Sequence, residues 1–418
     1  MYDQSYSSDT LSSLMRRGDF HRVPVAVRDM LRDATADAAA YAAATVFCGA
    51  NPITKFHLKK KPTYRIRTLW DDLVVRKLAR NVKALTRNYS TGRAQLVSNL
   101  CEFLLEGVPY RIYRLDVRSF YESFSHDELL KKANGIHSLS PLSLIHLKAL
   151  VEHYTSLGGT GLPRGMAVSA VLSDMMMSGF DEWVLNHPAV YFYGRYVDDI
   201  VVITNRTEDQ TKFTRSIQEK LPVGLFLNKK KVDVREATEV KKSNGATRKL
   251  QFTVDYLGYR FSVYDPFEAD NSGKETYRYV QVDIAPAKVK RMKLRIVRTL
   301  RDFVKTKDAT LLIDRIKFLT SNFSIIDKNT GTRQLAGIYY GYPQLSNDCE
   351  SLKELDRFLR TVVLSKKGRV FGMSYHWLPS RLKRRIFGHS FQQGHSTKRF
   401  LHFSTPRIHD IQECWRHQ

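Results

Sequence analysis

The chain has 418 residues, 43% of them apolar and 11% aromatic, which allows two or three domains with a sizeable core and excludes a peptide or a wholly disordered tail. A formal charge of +25 would make a compact protein repel itself unless a polyanion or acidic partner shares its surface, so nucleic acid is the obvious partner class; a merely soluble basic protein is the plainer alternative. No apolar run approaches the ~18 to 20 residues that cross a bilayer and no apolar leader opens the chain, so the expectation is a soluble, cytoplasmic protein.

In chain order, the first dozen residues are polar and Ser-rich, the one stretch with a disordered composition. Residues 23–49 are Ala-rich with spaced apolar positions and Gly49 as a cap, which predicts a supporting helix. From Lys55 the sequence is basic with interleaved aromatics; its first half suits a strand and loop, and Leu69, Leu73, Val74, Leu78 and Val82 repeat at helix spacing. Either a phosphate backbone or solvent suits that basic face equally. A helix is expected at about 94–106, then a strand at 110–117 with Asp116 at its end. A helical stretch at 140–157 precedes a Gly-rich turn and a helix carrying Met175, Met176 and Met177, which read as core packing. YFYGRYVDDIVVIT (191–204) reads as a hairpin with a turn at Gly194-Arg195 and both acids, Asp198 and Asp199, at its tip.

A helix at about 207–220, the stretch GLFLNKKKVDV, a basic loop and the strand candidate 254–263 follow. From about 282 strand signals thin out and cationic helical runs take over: 285–305, a helix near 309–320, and 351–364. Lys288, Arg291, Arg295, Arg298 and Arg301 recur at three- and four-residue steps and form one helical stripe, which with RLKRR (381–385) either tracks a duplex backbone or is a solvated face. The His residues after 386 have no zinc spacing and default to surface or packing roles. Cys48, Cys101, Cys349 and Cys414 show no CxxC pair, which argues for free thiols in a reducing compartment.

Asp116 with the pair Asp198-Asp199 suits two-metal phosphoryl transfer, which needs hard carboxylate oxygens converging on two cations. A carboxylate pair flanked by apolar strands is costly to bury without compensation, and metal would supply it. An exposed acidic turn is the alternative for the pair alone.

The wider pattern settles between them. DVRSFYESF (116–124), GLPRG (161–165) with Ser169, YVDD (196–199), LFLNKKK (225–231) and YLGYRFS (256–262) occur in this order at spacings that resemble the palm motifs of reverse transcriptases. The resemblance covers about residues 55–262 and implies an α+β right-hand polymerase: an N-terminal helical extension at 1–54, fingers and palm at 55–284, and an α-helical thumb and basic C-terminal region at 285–418. It implies two Mg²⁺ ions on Asp116, the Val117 carbonyl, Asp198 and Asp199, and catalysis by these aspartates with Lys231. It implies nucleotide contacts from Arg65, Arg67, Tyr121, Arg164, Gly165 and Lys231, with the Tyr121 ring clashing with a 2′-hydroxyl and favouring deoxynucleotides, and Phe120 left to fill the core. Primer or template would meet Tyr196, Leu257, Gly258, Lys288, Arg291 and Arg295. Arg164 departs from the glutamine usual in the family, and Ala170 from the proline that often follows the serine, which bears on nucleotide choice.

MYDQSYSSDTL, the stretch 93–124 and GLPRGMAVSAVLSDMMM look most like bacterial defence-associated reverse transcriptases of the type 3 system. That resemblance implies antiviral function, an RNA template that is a structured noncoding RNA, dNTPs and a DNA product, a second reverse transcriptase, homo- or hetero-oligomers, and no membrane. A retron or group II intron-derived enzyme, an RNA-directed RNA polymerase, and a non-catalytic palm that serves as an RNA platform are the competing readings.

Overall fold

The structure is a computed structural model that describes residues 2–20, 23–58, 61–86, 89, 91–239, 248–265, 277–326 and 332–416. Lys59 and Lys60 of the basic segment and the basic loop at 240–247 lie outside the described residues. The chain divides into two compact units, one holding residues 1–96 and 109–236, the other 97–108, 237–328 and 332–418. The α+β expectation holds, with antiparallel sheets and many helices.

The first unit opens with α1 (Ser8–Ser12), capped by the Ser7 side chain. Composition misleads here, because the opening residues are ordered by distant partners. Tyr6 and Leu11 are buried, the Tyr6 hydroxyl lies 3.1 Å from that of Ser143, and Lys77 Nζ donates to the Asp3 carbonyl at 2.8 Å. The expected helix at 23–49 is shorter: α2 (Arg28–Ala44) ends before Val46, Phe47 and Cys48, which turn through positive φ. Its Ala36, Ala39 and Ala43 are buried at three- and four-residue steps. A hairpin of β1 (Ile53–Leu58) and β2 (Lys61–Ile66) leads to α3 (Leu69–Leu85), whose Leu73, Val74, Leu78 and Val82 are fully buried as their spacing requires. Next in chain order come α4 (Arg93–Leu104), most of which belongs to the second unit, and then, in the first, β3 (Tyr110–Arg118), α5 (His126–Asn134), α6 (Pro141–Ser156), α7 (Ala167–Leu185), β4 (Val190–Tyr196), β5 (Asp199–Thr204), α8 (Gln210–Lys220), β6 (Phe226–Leu227) and β7 (Asp233–Ala237).

The main sheet runs β4-β5-β3-β6, with β7 also on β3. Of its central strands, β5 is apolar almost throughout because both faces are covered, while β3 intersperses buried residues with Arg111 and Arg114: Ile112, Tyr113, Leu115 and Ile200 to Ile203 are at most 1% exposed. Met175, Met176 and Met177 of α7 lie in the same core.

In the second unit, β8 (Leu250–Tyr256), β9 (Tyr259–Tyr264) and β10 (Tyr279–Ile284) form an antiparallel sheet in the order β10-β9-β8. Helices α9 (Pro286–Thr306) and α10 (Ala309–Thr320) follow, as their patterns predict. The hairpin of β11 (Asn322–Ile326) and β12 (Arg333–Gly337) was not legible, since its residues are largely half-exposed and show little alternation. Then come α11 (Ile338–Gly341), α12 (Glu350–Leu364), α13 (Arg369–Trp377), α14 (Ser380–Phe387), α15 (Phe391–Ser396) and α16 (Thr405–Glu413). The His-bearing tail is part of the core: Phe391, Ile411 and Trp415 are buried with Ile296, Leu300 and Leu355. All four cysteines are free, and among the described residues no helix is long and apolar enough to cross a membrane.

One buried group should make stability depend on pH. His146 is fully buried between Tyr6 and Phe47, at ring distances of 4.9 and 5.3 Å, and neither ring nitrogen has a well-formed hydrogen bond. Burial pushes its pKa down to about 4, so it stays neutral in the fold. Between the ordinary value near 6.5 and about 4 the unfolded chain binds the extra proton, and stability falls as pH drops through that window. Urea denaturation at pH 7.5 and pH 5 should differ by about 2 kcal/mol from this group. His146→Leu should flatten that difference; an equal pH response in the variant would remove His146 as its source.

Candidate active site

The site grows from the register of three strands. Antiparallel pairing of β3 with β5 sets Asp116 opposite Asp199, and pairing of β4 with β5 sets Tyr196 opposite Asp199. The two residues between, Val197 and Asp198, therefore make the turn, and Gly194 and Arg195 lie inside β4. That corrects the expected turn at Gly194-Arg195 by moving it to the tip, where the acids are. Val197 takes φ 60, a costly conformation for a β-branched residue, and its turn is tied to β3 by the Val117 N–H donating to the Asp198 carbonyl at 3.2 Å.

Arg195 underpins this turn. Its side chain is 1% exposed and donates to Asp181 at 2.8 and 2.7 Å, to Asp174 at 3.1 Å and to the Val197 carbonyl at 3.4 Å. The Tyr193 hydroxyl closes on the same Asp181 at 2.5 Å. Burial by itself lowers the Arg195 pKa; the Asp181 carboxylate outweighs it, so the net shift is upward. A signal for this was present: Asp174 and Asp181 stand seven apart on a largely apolar helix, so they share a face.

Asp116, Val117, Tyr121, Arg164, Asp198 and Lys231 line one cavity of about 320 Å³, together with Glu122 and Asn228. Pairing of Leu227 with Val117 brings the 228–231 turn to the end of β3. There Lys231 Nζ donates to Asp116 Oδ1 at 2.8 Å, and Asn228 Nδ2 donates to Oδ2 at 3.2 Å. Burial raises the carboxyls of Asp198 and Asp199; neighbouring acids add to this, Asp116 for the first and Asp198 for the second. Asp199 is not among the cavity's lining residues, and Arg114 lowers its carboxyl in part. Among the described residues no three His, Cys, Asp or Glu side chains converge as a ready cage. Even so, closely spaced carboxylate oxygens, two of them on acids raised by burial, are a hard donor set that a divalent cation suits.

The opposite wall is built on two glycines. Gly161, at φ 67, sits so close that a Cβ would fall 2.1 Å from the Tyr121 carbonyl, which also accepts the Leu162 N–H at 2.7 Å. Gly165, at φ 98, lies against β2, where a Cβ would meet Thr63 at 2.5 Å; the Tyr64 N–H donates to the Arg164 carbonyl at 2.8 Å. Between them Arg164 Nε and Nη2 both donate to Glu122 Oε1, at 2.9 and 2.6 Å. Phe120 is buried in the core while Tyr121 is half-buried at the cavity, and burial raises its phenol.

Other expected residues lie elsewhere. Arg65 is exposed over the Phe56 ring at 5.6 Å, Arg67 is exposed on the chain leading from β2, and neither lines the cavity. Tyr196 is 40% exposed at the end of β4. Leu257 and Gly258 form the β8–β9 turn in the second unit, both at positive φ. Lys288 and Arg291 are exposed on α9. Arg295 departs from the expected open stripe: it is half-buried, its guanidinium 5.4 Å from the Trp415 ring, and burial lowers its pKa. Sequence reasoning gave no site role to Arg195, Glu122 or Asn228, although each stood inside a quoted stretch.

Asp181→Asn should remove the charge that permits Arg195 to be buried and cost about 3 to 5 kcal/mol, read as a large drop in Tm. Asp174→Asn, on a partly exposed partner, should cost about 1 kcal/mol or less. Equal small losses would show that Asp181 does not anchor the turn.

Residues 58–261 match the family described as reverse transcriptase (RNA-dependent DNA polymerase). No curated protein matches the sequence. Among solved structures, the chain is similar to telomerase of Candida tropicalis truncated from its C-terminal domain, at 14% identity and TM-score 0.33, covering 51% of this chain and 53% of that one. It is also similar to telomerase of Candida albicans in complex with a TWJ fragment of telomeric RNA, at 13% identity and TM-score 0.30, covering 75% of this chain and 53% of the other. The Candida tropicalis telomerase in complex with that fragment gives 12% identity and TM-score 0.33, with 82% and 56% covered. The chain thus spans 53 to 56% of the length of these telomerase chains.

Proposed function

We propose, from the premise that this chain carries a reverse transcriptase domain across residues 58–261 and so belongs to the reverse transcriptase superfamily, that it is an RNA-directed DNA polymerase. It would extend a primer 3′-hydroxyl with deoxynucleoside triphosphates. The observation that carries this reading is the meeting of Asp116, Asp198 and Lys231 in one cavity, with the lysine 2.8 Å from the first aspartate.

Asp116, Asp198 and Asp199, with the Val117 carbonyl, would hold two divalent cations, proposed as Mg²⁺, which when bound activate the hydroxyl and stabilise the leaving pyrophosphate. The protein's own contribution is position and charge. Arg195 and Asp181 keep the aspartate turn in a conformation that Val197 would not choose alone. Lys231, paired with Asp116, would place an ammonium beside the triphosphate and give the departing pyrophosphate a proton. The Tyr121 ring would lie beneath the sugar and exclude a 2′-hydroxyl, while Arg164 and Gly165 support the nascent pair. Arg65 and Arg67 are proposed triphosphate contacts from the hairpin, and Tyr196, Leu257, Gly258, Lys288, Arg291 and Arg295 primer or template contacts.

The proposed domains are the extension at 1–54, fingers and palm at 55–284, and thumb with basic C-terminal region at 285–418. The resemblance of the opening residues and of stretches 93–124 and 161–177 to type 3 defence-associated enzymes supports a role in bacterial antiviral defence. The partners would be a structured noncoding RNA that serves as template and a second reverse transcriptase, in the cytoplasm.

Incorporation assays test the reading. Asp198→Ala should lower dNTP incorporation by about 10²- to 10³-fold or more, and unchanged incorporation would sink the enzyme hypothesis. Tyr121→Ala should raise ribonucleotide use relative to deoxynucleotide by about tenfold or more. A wild-type protein that already prefers ribonucleotides would overturn the substrate assignment. Phage challenge of cells carrying Asp198→Ala, beside wild type, tests the defence role by loss of protection.

A further inference from the structure

The cavity carries its own counter-ions. Of the cations that line the cavity, Lys231 is closed on Asp116 and Arg164 is closed on Glu122, so a polyphosphate that engages either must take it from an acid. The two pairs differ. Asp116 is also held by Asn228, whereas Glu122 uses a single oxygen: both guanidinium nitrogens meet Oε1, and Oε2 is buried with no hydrogen-bond partner among the described residues. A carboxylate that meets an arginine with both oxygens forms the stronger fork; this arrangement is the weaker one, and a phosphate offers more acceptors.

Exposure and mounting point the same way. The Arg164 and Glu122 side chains are 37% and 39% exposed, so the pair is worth little in water and is inexpensive to exchange. Their backbones are fixed: Glu122 donates its N–H to the Ser119 carbonyl at 3.0 Å, and the Arg164 carbonyl is held by Tyr64. Exchange therefore needs only side-chain rotation. The guanidinium also stands 6.0 Å from the centre of the Tyr121 ring, over the surface proposed for the sugar.

We infer that the Glu122–Arg164 pair is an anion-exchange latch over Tyr121, opened when the polyphosphate of a nucleoside triphosphate takes Arg164 from Glu122. This deepens the polymerase reading and rests on it for the identity of the ligand. Glu122 is then a specificity-determining residue. It sets a threshold of ligand charge, and nucleosides with fewer phosphates compete for Arg164 less well. The latch also gives Arg164 a role that an uncharged residue in its place could not fill.

The test uses the full-length chain. Inorganic tripolyphosphate, titrated by calorimetry at constant Mg²⁺, should bind Glu122→Gln about two- to fivefold more tightly than wild type. KM for a dNTP should fall by the same factor with kcat unchanged. In an Arg164→Gln background, Glu122→Gln should change neither quantity. Should Arg164→Gln fail to fold, Arg164→Lys, which keeps the charge and loses the fork, replaces it, and the gain from Glu122→Gln should shrink there. Unchanged or weaker binding by Glu122→Gln, or an equal gain without Arg164, would overturn the latch. The titration needs no turnover, so a wild-type chain that binds tripolyphosphate but incorporates no nucleotide would defeat the polymerase reading alone. Normal incorporation with no Glu122 effect would defeat the latch alone.

Discussion

Like charges held close together in partly buried space repel, and burial adds a second penalty by removing water from each. Asp116, Asp198 and Asp199 meet both conditions at the end of β3 and the β4–β5 turn, and the raised carboxyls of the last two report the cost. The surroundings answer that cost. Lys231 and Asn228 come in on the turn after β6 to hold Asp116, and the turn carrying Asp198 is tied to β3 through Val117. The result is a set of acids whose repulsion is partly offset by the protein's own side chains.

Charge of the opposite sign does the structural work beneath. Arg195 is buried to 1% in a sheet strand, which only a hydrogen-bonded acid makes feasible, and Asp181 of α7 is that acid at 0% exposure. Because the same guanidinium reaches the Val197 carbonyl, the helix, the strand and the aspartate turn share one constraint. Preorganisation of this kind is where a phosphoryl-transfer site gains most, since fixed charges need no rearrangement as the reaction proceeds. The opposite wall follows a different rule. Its backbone is fixed by close glycine contacts, while its charges, Glu122 and Arg164, remain half in solvent and free to change partners.

The second unit obeys simpler physics. Its helices bury one apolar face each, and α9 keeps Lys288 and Arg291 outward while Val289, Ile296 and Leu300 face the core. Arg295 is half-buried between these faces and sets its guanidinium over Trp415. The nominal tail thereby becomes core: Trp415 donates its indole N–H to the Arg295 carbonyl at 3.1 Å.

The sequence by itself determined the helices and strands whose apolar spacing is strong, among them α3, β3, β5 and α9, and the order of the motifs that carry the acids. Those signals are local, since periodicity and turn chemistry act within a few residues. It also identified Asp116, Asp198, Tyr121, Arg164 and Lys231 as belonging together, and the structure brings them to one cavity. Only the tertiary structure decided which cation holds which acid. Lys231 and Asp116 are 115 residues apart, Arg164 and Glu122 are 42 apart, and nothing local couples them. The same holds for the ordered N-terminus, whose polar composition suggested disorder until Asn81, Lys77 and Ser143 supplied its partners from distant helices. Arg195 shows the reason most plainly. In sequence it is a polar residue beside a glycine and suits a turn; in the fold, the acids of α7 make it the buried support of the turn that follows.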